Sequence, residues 1–265
     1  MDVATALGIY LEIVDSCAPG LVEGLYVVGS FALDDWRPGA SDIDIIAITA
    51  EPATDEDAGA LLTAHALLAE QQPSPCVDGP YLAWADLITP PMALHRPWTL
   101  DGQFRHDGDC FELNPITWYV LSTYGVTVRG PTVDRLGVYV DVEARRQFVV
   151  GNVRAYWQPL AAQVRNACAA DPRRNFEASL FEWCALGALR LHYTAFTGDV
   201  VSKCGAGQHG MQVAPAQTHD ALRAAMAIRA SDPGALTTVS AAEMLRAAEL
   251  IDWCAADIDR AARGS

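Results

Sequence analysis

Two aspartates on one short apolar strand constrain this chain more than any other feature. Asp42 and Asp44 alternate with Ile43 and Ile45 in the run 42–48, and successive side chains of a strand point to opposite faces. The two carboxylates therefore share one face, where they repel each other unless a cation lies between them. A hard divalent ion such as magnesium is the usual partner of such a pair. The pattern predicts a metal site at one end of a buried strand.

A glycine–serine turn precedes the aspartates. Gly29 and Ser30 stand at the end of the strand predicted at 25–29. A glycine lets backbone N–H groups approach a phosphate closely, and the serine hydroxyl adds a donor. If the two motifs have only a structural role, Ser30 caps a helix and Asp42 caps the start of a strand. The order and separation of the two motifs favour a site for nucleotide phosphates and a metal.

This combination resembles the nucleotidyltransferase superfamily that includes DNA polymerase beta, whose members carry Gly-Ser, about a dozen residues, and then Asp-x-Asp. The resemblance implies that Asp42 and Asp44 are catalytic metal ligands. It also implies that Gly29 and Ser30 bind the triphosphate of ATP, the co-substrate, together with Mg²⁺, which we expect as two ions.

A third carboxylate is expected on a neighbouring strand, as a metal ligand or as the base that takes the proton of the attacking hydroxyl. Asp78, in the extended run 77–84, is our choice. Asp78-Gly79-Pro80 also reads as a simple turn. Asp86 and Glu112 are the alternatives for the base.

The predicted elements divide the chain into two domains. The first part mixes strands and helices, whereas the second has long helical periodicities and few strand signals. We expect an α/β N-terminal nucleotidyltransferase domain, a mixed sheet with helices, at residues 1–140, and an all-α C-terminal helical bundle at 141–265. The segment 90–113 is expected to be a loop. Helices are predicted at 2–17, 55–72, 115–124, 143–169, 176–197, 216–230 and 240–262.

The whole chain resembles aminoglycoside adenylyltransferases of the streptomycin/spectinomycin type. Besides the two motifs, Val128-Arg129-Gly130-Pro131 and the stretch 190–203 carry the resemblance. Lys203 stands where the family has a lysine that reaches the triphosphate from the second domain. The resemblance implies transfer of AMP from Mg-ATP to a hydroxyl of a small cationic acceptor, with release of pyrophosphate, and hence antibiotic resistance.

The chain departs from this family at positions that bear on the acceptor. The family's base is a glutamate, whereas the matching position here is Asp78. Streptomycin-modifying members place a tryptophan and acids in the loop before the helix that corresponds to 176–197, whereas 171–175 is partly basic here. We therefore expect spectinomycin to be preferred to streptomycin. Glu177 and Glu182 are the candidates for binding the acceptor's ammonium groups.

Composition narrows the possible partners. The chain has 33 acidic and 18 basic residues and a net charge of -15, which disfavours nucleic acid and anionic membranes and favours a cationic small substrate. The seven cysteines lack paired short spacings, so neither a disulfide framework nor a zinc site is indicated. Without a recognisable signal peptide or membrane span, a cytoplasmic location is expected. We also expect a monomer.

Other functions are compatible with the phosphate site. One is an antitoxin-like or regulatory nucleotidyltransferase module that binds or modifies a partner protein, although such modules are usually much shorter. Another is an enzyme that nucleotidylates a natural product, because the fold and the phosphate site do not specify the acceptor.

Overall fold

The computed structural model of the protein describes residues 1–106, 109–231 and 237–264. The chain divides into two compact units, Met1–Asp141 and Val142–Ser265. The first unit is a mixed sheet with helices and the second is mainly helical. The expected fold class is therefore confirmed.

The first unit alternates helices and strands. Its two longest helices begin at side-chain caps. Asp2 accepts from the N–H of Thr5, and Thr54 and Asp57 form a reciprocal capping box, an arrangement that satisfies free N–H groups of the first turn. In chain order the elements are α1 (Val3–Cys17), β1 (Gly24–Val27), α2 (Gly29–Ala32), β2 (Ile43–Thr49), α3 (Asp55–Gln71), β3 (Val77–Ala83), β4 (Trp98–Leu100), β5 (Gln103–Arg105), α4 (Pro115–Tyr124) and β6 (Val126–Arg129).

Within the described residues of the first unit, these six strands form one sheet in the order β5-β4-β3-β2-β1-β6. Only β2 and β3 pair in parallel, and the other neighbours are antiparallel. Apart from Asp44, Thr49 and Asp78, the central strands carry mainly apolar side chains. Leu25, Ile43 and Ile45 are fully buried. The end of β1 and the start of β2 therefore lie side by side at one edge of a rigid core.

The expectation of a loop over 90–113 is wrong for its middle, because β4 and β5 form a hairpin there. The two residues between the strands, Asp101 and Gly102, have φ angles of 52° and 71°. Asp-Gly is the dipeptide that two-residue hairpins of this kind favour. Each strand has only three residues, too few for a recognisable alternation. Residues 107 and 108 of the segment lie outside the described residues.

The second unit is built on packed helices. The predicted helix 143–169 is α5 (Val142–Asn152), a π-helical turn (Val153–Trp157) and α6 (Gln158–Ala170). Two short strands that were not predicted, β7 (Asn175–Glu177) and β8 (Thr238–Ser240), pair with each other. The remaining helices are α7 (Ala178–Thr197), α8 (Lys203–Val213), α9 (His219–Ala230) and α10 (Ala241–Gly264).

The long helix α7 is the centre of the second unit. It packs against α8, α9 and α10, and Phe181, Cys184 and Leu189 are fully buried. Gly198 ends the helix with a φ of +75°, a conformation that glycine adopts readily at this position. In the described part of the chain, no helix has the length and apolar character needed to span a membrane.

Candidate active site

Asp44 lies against the turn that follows β1. The backbone N–H of Val28 donates to the carbonyl oxygen of Asp44 at 2.9 Å. Gly29 has a φ of +56°, in the left-handed region that glycine tolerates best. A Cβ atom at Gly29 would lie 1.7 Å from Oδ2 of Asp44. The turn can therefore close onto the carboxylate only because position 29 is a glycine.

Ser30 presents two donors at the same place. Its backbone N–H donates to Oδ2 of Asp44 at 3.3 Å. Its hydroxyl oxygen is buried and has no hydrogen-bond partner among the described residues. Buried hydroxyl groups are normally hydrogen-bonded. The Ser30 hydroxyl group is therefore a polar group beside Asp44 whose hydrogen-bonding capacity the described residues leave unused.

Asp42 stands immediately before β2 and is exposed. The segment that leads to it is tied to the protein at two points. Trp36 Nε1 donates to the carbonyl oxygen of Asp42 at 3.0 Å, and the N–H of Arg37 donates to Oγ of Ser41 at 3.1 Å. The next residue, Ile43, is fully buried, so the backbone on both sides of Asp42 is fixed.

Asp78 lies beside Asp44, because the parallel register of β2 and β3 pairs the two residues. Its carboxyl group is buried and accepts hydrogen bonds from the N–H groups of Asp101 at 3.0 Å and Gly102 at 2.9 Å. Burial raises the pKa of Asp78 to about 6; the Gly102 hydrogen bond opposes this shift and the charge of Asp42 adds to it. The β4–β5 turn thus holds this carboxyl group in place.

Of the two alternatives to Asp78, Glu112 belongs to the same cluster. Burial raises the pKa of Glu112 well above its usual range, and the charges of Asp44, Asp78 and Asp42 raise it further. No regular sequence pattern points to Glu112, because it precedes helix α4 in an irregular segment. Only the fold brings it to the aspartates.

Asp86, the other alternative, is engaged elsewhere. Its two oxygens bind Arg96 in a bidentate pair, with both N–O distances at 2.7 Å. One of them also accepts from the N–H of Ala83 at 2.8 Å. Asp86 is buried and fixes the turn after β3. Its role is therefore structural.

The carboxylate cluster fits a magnesium ion. The charges of the cluster raise the pKa values of Asp78 and Glu112, and a cation would offset this repulsion. Across the described residues, no group of three or more His, Cys, Asp or Glu side chains could hold a metal by itself. Mg²⁺ usually takes one or two carboxylates and completes its octahedron with substrate phosphates and water. Asp42 and Asp44 are suited to an ion that arrives with a nucleotide.

In the second unit, Lys203 is the first residue of α8 and is paired with α7. Its Nζ atom lies 3.1 Å from Oε1 of Glu182 and 5.5 Å from the centre of the Trp183 ring. The same Glu182 oxygen accepts from Arg229 Nη1 at 3.0 Å. Sequence reasoning did not identify Arg229. Glu182 is therefore shared between two cations.

The other proposed acceptor ligand, Glu177, is exposed. It ends β7 and directly precedes α7. All residues of the segment 171–175 are exposed. The Arg174 guanidinium group lies over the Phe176 ring, 5.1 Å from its centre, and the Arg173 N–H donates to Asp171. Glu177 thus differs from Glu182 in being open to solvent.

Comparison with known proteins supports this interpretation of the first unit. A family described as "Nucleotidyltransferase domain" matches residues 8–78. This range contains the Gly29-Ser30 turn, Asp42, Asp44 and Asp78. No curated protein sequence matched the chain.

Among solved structures, the protein is similar to spectinomycin adenyltransferase AAD(9) from Enterococcus faecialis, whose crystal structure contains ATP and spectinomycin. The similarity covers 97% of this chain and 100% of that chain, with a TM-score of 0.68 and 12% sequence identity. The two findings support an enzyme of the nucleotidyltransferase kind. Residues 8–78 thus match a nucleotidyltransferase domain, and the chain shares the fold of the spectinomycin adenyltransferase.

Proposed function

We propose that the protein transfers AMP from Mg-ATP to a hydroxyl group of a small cationic acceptor and releases pyrophosphate. The observation that carries the proposal is the closure of the Gly29-Ser30 turn onto Asp44. There a glycine is required by the close approach of the carboxylate, and a buried serine hydroxyl has no partner within the described residues. Both features suit a bound phosphate beside a metal ion.

Different residues of the first unit would bind the metal ions and the phosphates in such a transfer. Asp42 and Asp44 would hold Mg²⁺, which we propose as two ions, and the turn at Gly29 and Ser30 would bind phosphate oxygens. When bound, Mg²⁺ neutralises the charge of the phosphates and lowers the pKa of the acceptor hydroxyl. The remaining contribution of the protein is to position the acceptor hydroxyl and the α-phosphorus in line.

We propose Asp78 as the base. Each of its oxygens accepts one backbone N–H, and a carboxylate oxygen has a further lone pair for the proton of an acceptor. Its raised pKa, about 6, is close to the range in which a general base is most effective. Glu112 is the alternative. The variants Asp78→Asn and Glu112→Gln distinguish the two candidates. Only the variant that lacks the base should lose the fall of kcat at low pH that protonation of the base causes.

In the second unit, Lys203 is the proposed ligand of the triphosphate. An ammonium group has three donors, and the contact with Glu182 uses one of them. Glu177 and Glu182 are the proposed ligands of the acceptor's ammonium groups. Since Glu182 is already shared by Lys203 and Arg229, Glu177 is the stronger candidate.

Spectinomycin is the proposed acceptor, in preference to streptomycin. The relative of known structure is named a spectinomycin adenyltransferase, and the exposed 171–175 segment carries Arg173 and Arg174, which disfavour a guanidinium-bearing ligand. Binding should weaken as salt rises, because exposed ammonium–carboxylate contacts are screened.

Mass spectrometry of an aminoglycoside panel incubated with the protein and Mg-ATP tests the proposal. Spectinomycin should gain an AMP unit faster than streptomycin, and Asp42→Asn should abolish the gain for both. Equal rates for the two compounds would overturn the acceptor assignment. Modification of neither compound, with ATP still bound, would direct the search to other acceptors, including natural products.

A further inference from the structure

The side-chain hydroxyl group of Thr99, in β4, lies against the backbone of β3 beside Asp78. Thr99 is fully buried and pairs with Gly79 in the antiparallel register of the two strands. Its Oγ1 atom accepts the N–H of Gly79 at 3.0 Å. The same oxygen lies 3.3 Å from the carbonyl oxygens of both Val77 and Gly79, and its one hydrogen can be donated to either of them. Thr99 therefore contacts the backbone on both sides of Asp78.

The two residues after Asp78 depart from a regular strand. Gly79 has a φ of +147°, and a Cβ atom there would lie 1.9 Å from the carbonyl oxygen of Ile45 in β2. Pro80 has no N–H to donate to a neighbouring strand. The N–H of Gly79 is thus the one backbone donor of this dipeptide, and the Thr99 hydroxyl group accepts it. A side chain, and not a main-chain carbonyl, accepts the hydrogen bond next to Asp78.

The turn that follows β4 binds the other end of the Asp78 side chain. The N–H groups of Asp101 and Gly102 donate to the two carboxyl oxygens at 3.0 Å and 2.9 Å. Thr99 stands two residues before Asp101 on the same strand and turn. Thr99 thus fixes the backbone at Asp78, and the turn fixes its carboxyl group. Without the Thr99 hydroxyl, the turn would still hold the carboxyl group, but β3 and β4 would lose the contact that aligns them beside it.

We propose that Thr99 is a positioning residue for AMP transfer, whose hydroxyl group sets the place of the Asp78 carboxyl group relative to the acceptor. This inference rests on the proposed role of Asp78 as the base. A base must lie within hydrogen-bond reach of the proton that it takes, and a misplacement of about 1 Å can reduce a rate about 100-fold. Thr99 is buried in the sheet and acts through Asp78.

Replacement of Thr99 by valine removes the hydroxyl group and keeps the branched shape of the side chain. We expect Thr99→Val to lower kcat for AMP transfer by about tenfold or more. The KM for ATP should change by less than about twofold, because the phosphate turn at Gly29 and Ser30 is unaltered. Thr99→Ser keeps the hydroxyl group and should retain kcat within about twofold of the wild-type value. In the Asp78→Asn background, Thr99→Val should cause no further loss, because residues that act as a unit do not have additive effects.

Thr49→Val is the matched control in the same sheet. Thr49 is also buried, and its hydroxyl group donates to the carbonyl oxygen of Leu82 at 3.1 Å. It is the last residue of β2, at the opposite end of that strand from Asp44. Thermal unfolding should show that Thr49→Val and Thr99→Val both lose stability, whereas only Thr99→Val should lose kcat.

Three kinetic results would overturn the proposal. One is an equal fall of kcat in Thr49→Val and Thr99→Val, and another is a fall in Thr99→Ser as large as that in Thr99→Val. The third is a full further loss of kcat when Thr99→Val is added to Asp78→Asn. Each would mean that the hydroxyl group of Thr99 does not act through Asp78.

Amide hydrogen exchange followed by NMR tests the contact without ATP or acceptor. In Thr99→Val, the amides of Gly79, Asp101 and Gly102 should exchange about tenfold faster or more than in the wild type, because their hydrogen bonds open locally. In Thr49→Val the exchange of these three amides should not change.

The exchange result separates this proposal from the proposed function. Unchanged exchange of the turn amides in Thr99→Val would overturn the proposal even if the wild-type protein transfers AMP. If these amides respond but the wild-type protein transfers no AMP, the proposed function fails and the catalytic role of Thr99 fails with it, whereas the contact between Thr99 and the Asp78 segment is confirmed.

Discussion

Replacing Gly29 by alanine should damage the site much more than the fold. At a φ of +56°, an alanine costs about 1–2 kcal/mol of stability because its Cβ crowds the backbone. The added Cβ would also lie 1.7 Å from Oδ2 of Asp44. A contact below 3.0 Å is essentially never seen, so the carboxylate must move by about 1.3 Å (3.0 − 1.7) or more. A misplacement of about 1 Å in a reacting site can reduce the rate about 100-fold.

Gly20→Ala is the matched control. Gly20 has a φ of +75° and nothing within 4 Å of an added Cβ, so its replacement imposes the backbone strain without the collision. Thermal unfolding should show a loss of stability for both variants, at least as large for Gly29→Ala because its collision with Asp44 adds to the backbone strain. The rate of AMP transfer should fall about 100-fold, or about 2.7 kcal/mol of transition-state stabilisation, only for Gly29→Ala. Equal transfer rates for the two variants would refute the proposed contact between turn and carboxylate.

Three further experiments address the metal, the base and the second unit. Asp42→Asn and Asp44→Asn should each reduce AMP transfer to less than about a tenth of the wild-type rate, since each removes a proposed Mg²⁺ ligand. Thermal unfolding of both variants should stay cooperative. A smaller loss of the transfer rate would make the metal assignment wrong. The pKa of Asp78 is raised from 3.8 to about 6, so the folded protein binds this proton more tightly than the unfolded chain. Without Mg²⁺, the free energy of unfolding should therefore fall by up to about 3 kcal/mol as the pH rises from about 4 to about 6. Urea unfolding across this pH range measures the fall, and Asp78→Asn should remove most of it. If the variant keeps the full fall in unfolding free energy, Asp78 is not its cause. Lys203→Ala should weaken ATP binding far more than AMP binding in calorimetry, because its proposed partner is the triphosphate, and equal losses would remove Lys203 from the site.

The central part of the candidate site could be anticipated because it depends on local sequence. Asp42 and Asp44 sit on one strand whose alternation is visible in the residues, and Gly29 precedes them at the end of another apolar run. The parallel pairing that sets Asp78 beside Asp44 was a guess about topology that a single sequence supports weakly.

The parts of the site that the sequence did not indicate, or indicated only as an alternative, depend on contacts between distant residues. Glu112 joins the carboxylate cluster from an irregular segment, and Arg229 reaches Glu182 from a helix 47 residues away. Asp101-Gly102 was a readable hairpin signal, but its flanking strands are short. Asp86 was an alternative for the base. The sequence does not show that Asp86 pairs with Arg96, and this ion pair gives it a structural role.

The most direct test of the account follows the phosphorus atoms of ATP. Wild-type protein is incubated with Mg²⁺, spectinomycin and ATP labelled at either the α- or the γ-phosphorus, with Asp44→Asn alongside. AMP transfer at this site predicts that the α-label appears on spectinomycin, that the γ-label appears in pyrophosphate, and that the variant neither labels spectinomycin nor releases pyrophosphate. A γ-label on the acceptor with release of ADP, or full transfer by Asp44→Asn, would contradict nucleotidyl transfer at the Asp42–Asp44 pair.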